Sequence, residues 1–174
     1  GQGLVKMTPL KLAQLSMAVA RRDGKAPAPR LVQTEEPPPI TLDLGLTEDQ
    51  IIALRKGFRR VVGPGGTATL SRLPGWDFMG KTGTSQNPHG PSHAWFVGFG
   101  GPFGSEPEIV AVMLLEHGEH GYVASGVVAN AVNFYLNRQH GMPFERYPTP
   151  RERLPRGLPI DWSWFQSPIT DPEP

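Results

Sequence analysis

Three strand-like segments separated by short connections constrain the fold of this chain more than any other feature. The first segment ends at residues 81–84, the second covers 93–99, and the third runs from 109 to 116. The third is continuously apolar up to its final glutamate, which is typical of a strand buried on both faces. The connections at 87–92 and 100–108 are too short for a crossover helix, so the sequence predicts an antiparallel meander.

A first helix and a proline-rich connection precede these strands. The pair Thr8-Pro9 supplies an N-cap residue and a proline at the first helical position. Residues 10–19 are apolar nearly all round, so we expect a buried helix, and Asp23-Gly24 provides its end. Five prolines between residues 26 and 40 predict a connection with at most a short strand at 30–32.

A capping box predicts a second helix, with Thr47 at the cap, Gln50 three positions later and an end near Val62. The residues predicted to face the core are Ile51, Leu54, Phe58, Val61 and Val62. The opposite face is predicted to carry Arg55, Lys56, Arg59 and Arg60. Such a basic row either holds a phosphate or an acidic partner or is a solvated helix face, and the second is the commoner case.

A third helix, predicted over residues 123–139, follows the strands and stops near Gly141. Its predicted inner face consists of Val127, Val128, Ala131, Phe134 and Tyr135. Its predicted outer face consists of Asn130, Asn133 and Asn137. Two helices before a meander and one long helix after it define an α+β fold in which helices flank an antiparallel sheet.

Charge and cysteine content exclude several classes of function. The 17 basic and 16 acidic side chains nearly cancel, so we expect no nucleic-acid partner. The absence of cysteine excludes disulfides, thiol catalysis and cysteine-ligated zinc. The pairs His89/His93 and His117/His120 have spacings that suit a metal on a helix, but they lie in or beside predicted loops. We therefore expect no metal and no cofactor.

The stretch from Met79 to Gln86 contains the residues best suited to binding a ligand. Thr82 and Thr84 point to the same face of a strand, because side chains alternate with period two. Lys81 adds positive charge, and Gly83 lacks a Cβ atom, so another backbone can approach closely. The stretch is either a seat for an anionic, peptide-like substrate or a surface strand with a threonine pair and a solvated lysine.

Lys81-Thr82-Gly83 is also the K-T-G motif of serine penicillin-recognising enzymes, and it stands here in an ordered context. The accompanying motifs are Gly1-Gln2-Gly3, Thr8-Pro9-Leu10, Gly65-Gly66-Thr67-Ala68, the run 94–99 and the run 110–116. This set resembles the C-terminal half of a class B penicillin-binding protein transpeptidase domain, most closely the elongation-type penicillin-binding protein 2. It therefore implies part of the fold shared by penicillin-binding proteins and serine β-lactamases.

The resemblance divides the chain into two regions. Residues 1–141 are expected to be the C-terminal part of the transpeptidase domain. Residues 142–174 contain eight prolines and form a proline-rich C-terminal tail outside the resemblance. An aromatic cluster in that tail consists of Trp162, Trp164 and Phe165.

The resemblance implies a D,D-transpeptidase in which a serine attacks the D-Ala-D-Ala carbonyl of a peptidoglycan stem peptide, and which β-lactams acylate. By motif, Lys81 supplies electrostatics and helps proton transfer. The hydroxyls of Thr82 and Thr84 hold the substrate carboxylate, and the Thr84 backbone N–H forms half of the oxyanion hole. Gly83 and Ser85 belong to the strand edge that pairs with the peptide backbone.

One departure from the family pattern is serious, because no serine in the chain has a lysine three positions later. Ser85-Gln86-Asn87 fits S-x-N formally but follows K-T-G directly, which marks a chance match. We therefore expect a fragment whose nucleophile and general base lie on an absent N-terminal part of the same domain.

The implied partners are stem peptides, β-lactams, that missing part and a membrane glycosyltransferase of the elongation machinery. The implied location is periplasmic, on a protein anchored in the inner membrane. Three alternatives stay open: a β-lactam-sensing or non-catalytic domain of the same fold, a serine β-lactamase, and an unrelated α+β binding module with a basic helix.

Overall fold

A three-stranded antiparallel sheet with helices on both faces forms the centre of the molecule in a computed structural model, which describes residues 6–147. The helices are α1 (Pro9–Ala20), α2 (Glu48–Val62) and α3 (Gly121–Gln139). The strands are β1 (Lys25–Pro27), β2 (Ile40–Asp43), β3 (Asp77–Ser85), β4 (His93–Gly101) and β5 (Ile109–Leu115). The predicted α+β class is confirmed. The aromatic cluster of the tail lies outside the described residues.

Strands β3, β4 and β5 pair in chain order, which confirms the predicted meander. Thr82 is opposite Phe96, and Phe96 is opposite Met113, so these side chains share one face of the sheet. That face packs against α3 in a core that includes Phe78, Phe96, Val128 and Val132. The other face carries Met79 and Phe99, which pack with Val19 of α1 and Phe58 of α2.

Strand β5 departs from the prediction that it is buried on both faces. All seven of its residues are only half-buried. Within residues 6–147, β5 pairs with β4 alone, so it forms an edge of the described sheet. The described helices and strands therefore leave this apolar strand partly exposed.

Helix α1 begins as predicted, because the side chain of Thr8 accepts a hydrogen bond from the Lys11 amide. The expected burial holds only for its C-terminal half, since Leu10 is 60 % exposed. The buried face instead includes the polar Gln14, whose amide donates to Pro27 O at 2.9 Å and to Thr41 Oγ1 at 2.8 Å. These bonds tie α1 to the strands that follow it.

The proline-rich connection lies between two paired strands that the sequence did not predict. No strand forms at residues 30–32, where Leu31 is fully exposed. Instead β1 and β2 pair antiparallel on either side of the prolines, with Ala26 opposite Leu42. The sequence did not predict this strand pair, because three and four residues are too few to show an alternation of apolar and polar side chains.

The capping box of α2 is confirmed, but the prediction of a solvated basic face is wrong for two of its arginines. Arg55 and Arg59 are only 2 % and 4 % exposed. Arg59 Nε lies 3.1 Å from Asp77 Oδ1 at the start of β3. Burial raises the pKa of the Asp77 carboxyl, and the charges of Arg59 and Arg55 oppose that rise in part.

Helix α3 ends as predicted at Gly141, which has a φ of +65°. Its predicted inner face is confirmed for Val128 and Tyr135, which belong to or pack against the core, but the rest of the predicted faces is wrong. Val127 and Phe134 are each 50 % exposed, whereas Asn133 and Asn137 are nearly fully buried. The chain turns back after the helix, and Asn137 Nδ2 donates to Pro143 O at 3.0 Å. Asn133 Nδ2 donates to Glu145 O at 2.8 Å, and Asn130 exchanges two hydrogen bonds with the backbone of Tyr147. We call residues 143–147 the C-terminal strap.

Candidate functional site

A cleft of about 400 Å³ lies where the end of β3 meets the start of α3 and the loop after α2. The residues that line it are Thr67, Thr82, Gly83, Thr84, His120, Gly121 and Tyr122. The structure thus brings three of the predicted substrate-binding residues into one concave site. The other residues of the lining come from two segments that are distant in sequence.

The N-terminus of α3 lies directly against the K-T-G strand. A Cβ atom at Gly121 would lie only 2.6 Å from Gly83 O and 2.8 Å from Gly83 N, so only glycine allows this approach. His120 occupies the N-cap position without a side-chain capping bond among the described residues. The first N–H groups of the helix and the positive end of its dipole therefore border the cleft, which favours an anion.

Two threonine hydroxyls meet in the lining of this cleft. Thr67 Oγ1 lies 2.9 Å from Thr82 Oγ1, and either atom can donate. Thr84, two positions along β3, also lines the cleft. Hydroxyl donors beside a helix N-terminus suit a carboxylate, because that group only accepts hydrogen bonds.

Lys81 lies on the other face of the strand. It is opposite Val97, whereas Thr82 is opposite Phe96, so the two side chains leave β3 in opposite directions. Lys81 Nζ donates to Thr82 O at 2.5 Å, and its side chain is not among those lining the cleft. The structure therefore separates the predicted catalytic lysine from the two threonines.

A second cleft, of about 470 Å³, lies on the Lys81 face at the end of the sheet. It is lined by Lys6, Met7, Leu12, Gly83, Thr84, Ser85 and Trp95. Ser85 Oγ accepts a hydrogen bond from Trp95 Nε1 at 3.0 Å. Since Gly83 and Thr84 border both clefts, the end of β3 is the partition between them.

His120 and Tyr122 are site residues that the sequence reasoning missed. Their rings stack 5.8 Å apart at an interplanar angle of 19° on the wall of the first cleft. Neither residue belongs to a recognisable motif. The only indication in the sequence that they lie near β3 is their position shortly after the last strand. Thr67 belongs to the Gly65-Gly66-Thr67-Ala68 motif of the family resemblance, but the sequence did not predict that it lies at the site.

His93 and His117, one histidine from each predicted pair, form a contact between two segments. The His117 amide donates to His93 Nδ1 at 3.0 Å, and the two rings lie 5.2 Å apart. This contact joins the loop after β5 to the start of β4. Within residues 6–147, no group of three metal-ligating side chains comes together.

The fold is similar to that of several solved penicillin-binding protein structures. Penicillin-binding protein 2 from Helicobacter pylori is 30 % identical, with a TM-score of 0.65 over 78 % of this chain and 25 % of that one. Penicillin-binding protein 2 from Pseudomonas aeruginosa, solved with WCK 5153, is 28 % identical with a TM-score of 0.62, covering 84 % of this chain and 33 % of that one. The D,D-transpeptidase domain from Eggerthella lenta is 27 % identical with a TM-score of 0.63, covering 77 % and 33 %.

The family model for the penicillin-binding protein transpeptidase domain matches residues 1–134. This chain belongs to that family, which confirms the resemblance seen in the sequence. It spans less than half the length of the structures described above. No curated protein matches it. No helix between residues 6 and 147 has the length and apolar character needed to cross a bilayer.

Proposed function

We propose that the protein containing this chain is a peptidoglycan D,D-transpeptidase that β-lactams acylate. The observation that carries the proposal is the cleft at the end of β3, where Thr82 and Thr84 meet the uncapped N-terminus of α3. A serine on another part of the same domain attacks the D-Ala-D-Ala carbonyl, and the terminal D-Ala leaves. An amine from a neighbouring stem peptide then resolves the acyl-enzyme.

The two faces of β3 have different proposed functions, with substrate binding on one face and the lysine on the other. Thr82 and Thr84 hold the substrate carboxylate in the first cleft, and the Thr84 N–H donates to the developing oxyanion. Gly83 and Ser85 supply the strand edge along which the peptide extends. Lys81 stabilises charge and assists proton transfer on the opposite face.

The second cleft is the site that we assign to the missing N-terminal part of the domain. It lies on the same face of the sheet as Lys81 and reaches Ser85 and Trp95. Met7, Leu12 and Trp95 give its lining an apolar surface on which that part of the domain would pack.

Similarity to two penicillin-binding proteins 2 supports a proposal about the wider role. We infer a role in cell elongation and cell shape, with a membrane glycosyltransferase of the elongation machinery as partner. The transpeptidase domain would work outside the cytoplasmic membrane, in the periplasm. The two regions of the chain, 1–141 and 142–174, stay part of this proposal.

Labelling with a fluorescent penicillin tests the proposed function. The full-length protein should be labelled covalently, and residues 1–174 alone should not, because the nucleophile lies elsewhere. Replacing Thr84 by valine should slow acylation about tenfold or more through loss of a charge-assisted hydrogen bond. The matched control Thr34→Val changes an exposed residue of the β1–β2 connection and should leave the rate unchanged.

Two results would contradict parts of the proposal. Labelling of residues 1–174 alone would show that the nucleophile lies within this chain. Stable acylation of the full-length protein without transfer to an amine acceptor would instead favour the β-lactam-sensing or non-catalytic alternative.

A further inference from the structure

We propose that Thr67 is a positioning residue that directs the hydroxyl proton of Thr82 toward the substrate carboxylate. This inference rests on the proposed function and adds a specificity-determining residue from outside the K-T-G strand. The loop from Gly63 to Ala68, here called the Thr67 loop, supplies this residue.

The argument starts from the hydroxyl pair. Thr67 Oγ1 and Thr82 Oγ1 lie 2.9 Å apart, and each hydroxyl has one proton to donate. A carboxylate has no proton at neutral pH, so the hydroxyl that contacts it must donate. When Thr82 donates to the carboxylate, its oxygen accepts the proton of Thr67, and the two bonds polarise each other.

The backbone fixes Thr67 in place. Gly65 has a φ of +71°, and a Cβ atom at Gly66 would lie 2.2 Å from Val61 O, so this path requires both glycines. The Ala68 amide then donates to Val61 O at 2.9 Å and ties the loop back to α2. Thr67 itself is exposed on the cleft wall, so its hydroxyl is not needed to fill the core.

This geometry makes Thr67 matter most for ligands that carry a charge at the carboxylate position. A neutral ester accepts a weaker hydrogen bond from Thr82 and gains less from polarisation of that hydroxyl. A merely structural role for Thr67 would affect charged and neutral ligands alike. The two roles are therefore separated by comparing a penicillin with its methyl ester.

The test measures second-order acylation rates of the full-length protein with both ligands. We expect Thr67→Val to slow acylation by the penicillin about fivefold, the effect of one net hydrogen bond, and acylation by the ester less than twofold. Thr67→Ala should match Thr67→Val, and Thr67→Ser should restore the rate to within about twofold because it keeps the hydroxyl. The control Thr69→Val lies two residues on, outside the cleft lining, and should change neither rate.

Equal slowing with both ligands, or no slowing with either, would overturn the role of Thr67 while leaving the proposed function intact. Failure of the unaltered full-length protein to react with penicillin would overturn the proposed function, and this inference with it. Thermal melting of each variant shows whether a change in rate reflects loss of folded protein.

Discussion

The buried pair of Arg59 and Asp77 shows how single residues join α2 to the strand that carries the site. Arg59 and Arg55 are four positions apart, so they face the same side of α2. Asp77 begins β3, four residues before Lys81. Breaking a buried pair by removing one partner leaves an uncompensated charge, which typically costs about 3–5 kcal/mol. We therefore infer that the ion pair fixes the start of β3 against α2.

The Asp77 carboxyl should make stability depend on pH. Burial raises its pKa above the ordinary 3.8, so the folded state binds the proton more tightly than the unfolded state does. The stability it contributes is complete below that ordinary value and is lost as pH rises through the folded pKa. The difference in unfolding free energy between the unaltered protein and Asp77→Asn should therefore fall as pH rises from about 3.8. A difference that is constant or rises with pH would contradict this assignment.

Among the elements, the contact between α3 and β3 decides the shape of the candidate site. A methyl group at Gly121 would meet backbone atoms of Gly83 and Trp95, which have no rotamer in which to move away. Gly57 in α2 is a suitable contrast, because it is exposed and a Cβ there would meet nothing within 4 Å. Gly121 is therefore required by a close backbone contact, whereas the surroundings of Gly57 would accept a side chain.

We expect Gly121→Ala to slow acylation of the full-length protein by penicillin about tenfold or more, because α3 must shift away from β3 and widen the cleft. Gly57→Ala should leave the acylation rate unchanged and raise the free energy of unfolding by roughly 0.5–1 kcal/mol. Acylation rates and chemical unfolding of both variants check this. An unchanged rate in Gly121→Ala would show that the contact is not needed for the reaction.

The sequence predicted the elements better than their faces. The meander and all three helices were visible from caps, turns and apolar runs, because these are local signals. The exposed face of α3 was not, because Asn133 and Asn137 are buried by hydrogen bonds to the strap, a contact that follows the helix in sequence. Periodicity counts apolar residues and cannot register a polar side chain whose partner is a later backbone carbonyl.

The same limit applies to the site. The K-T-G motif predicted Lys81 and Thr84 as site residues, and strand alternation predicted that Thr82 and Thr84 share a face. The same alternation puts Lys81 on the other face, but the prediction grouped its charge with the two threonines. His120 and Tyr122 needed the three-dimensional contact between α3 and β3. The role of Arg55 and Arg59 was missed because a basic row looks the same whether it faces water or a buried carboxylate.

Taken as a whole, the molecule includes the strap as part of its folded unit. Tyr147 packs against the core formed by the sheet and α3, and Trp76 Nε1 donates to Asn137 Oδ1 at 2.9 Å beside the strap. The strap lies beyond residue 134, where the match to the family model ends, and beyond residue 141, the predicted end of the domain. We propose that the folded unit extends past residue 141 and includes the strap.

Shortened chains test whether the strap belongs to the folded unit. The full-length protein ended after residue 147 keeps the backbone acceptors that the strap offers to Asn133 and Asn137. Ending it after residue 141 removes the acceptors of the Asn133 and Asn137 amides, and each buried amide left without a partner costs about 1–3 kcal/mol. Thermal melting of both chains should therefore separate them by several degrees, and identical melting would show that the strap does not stabilise the domain.

The reversal of the chain after Gly141 also places the strap where a reporter group would be useful. Glu145 lies beside Asn133, about 18 Å along the helix axis from Gly121, whereas the end of α3 is about 27 Å away. The side chain of Glu145 is exposed, and none of the 174 residues is cysteine. A dye attached through Glu145→Cys would therefore be the only thiol-linked dye within residues 1–174, and it would lie within energy-transfer range of a fluorescent ligand beside Thr82. Occupancy of the cleft by that ligand is then read as a change in donor lifetime.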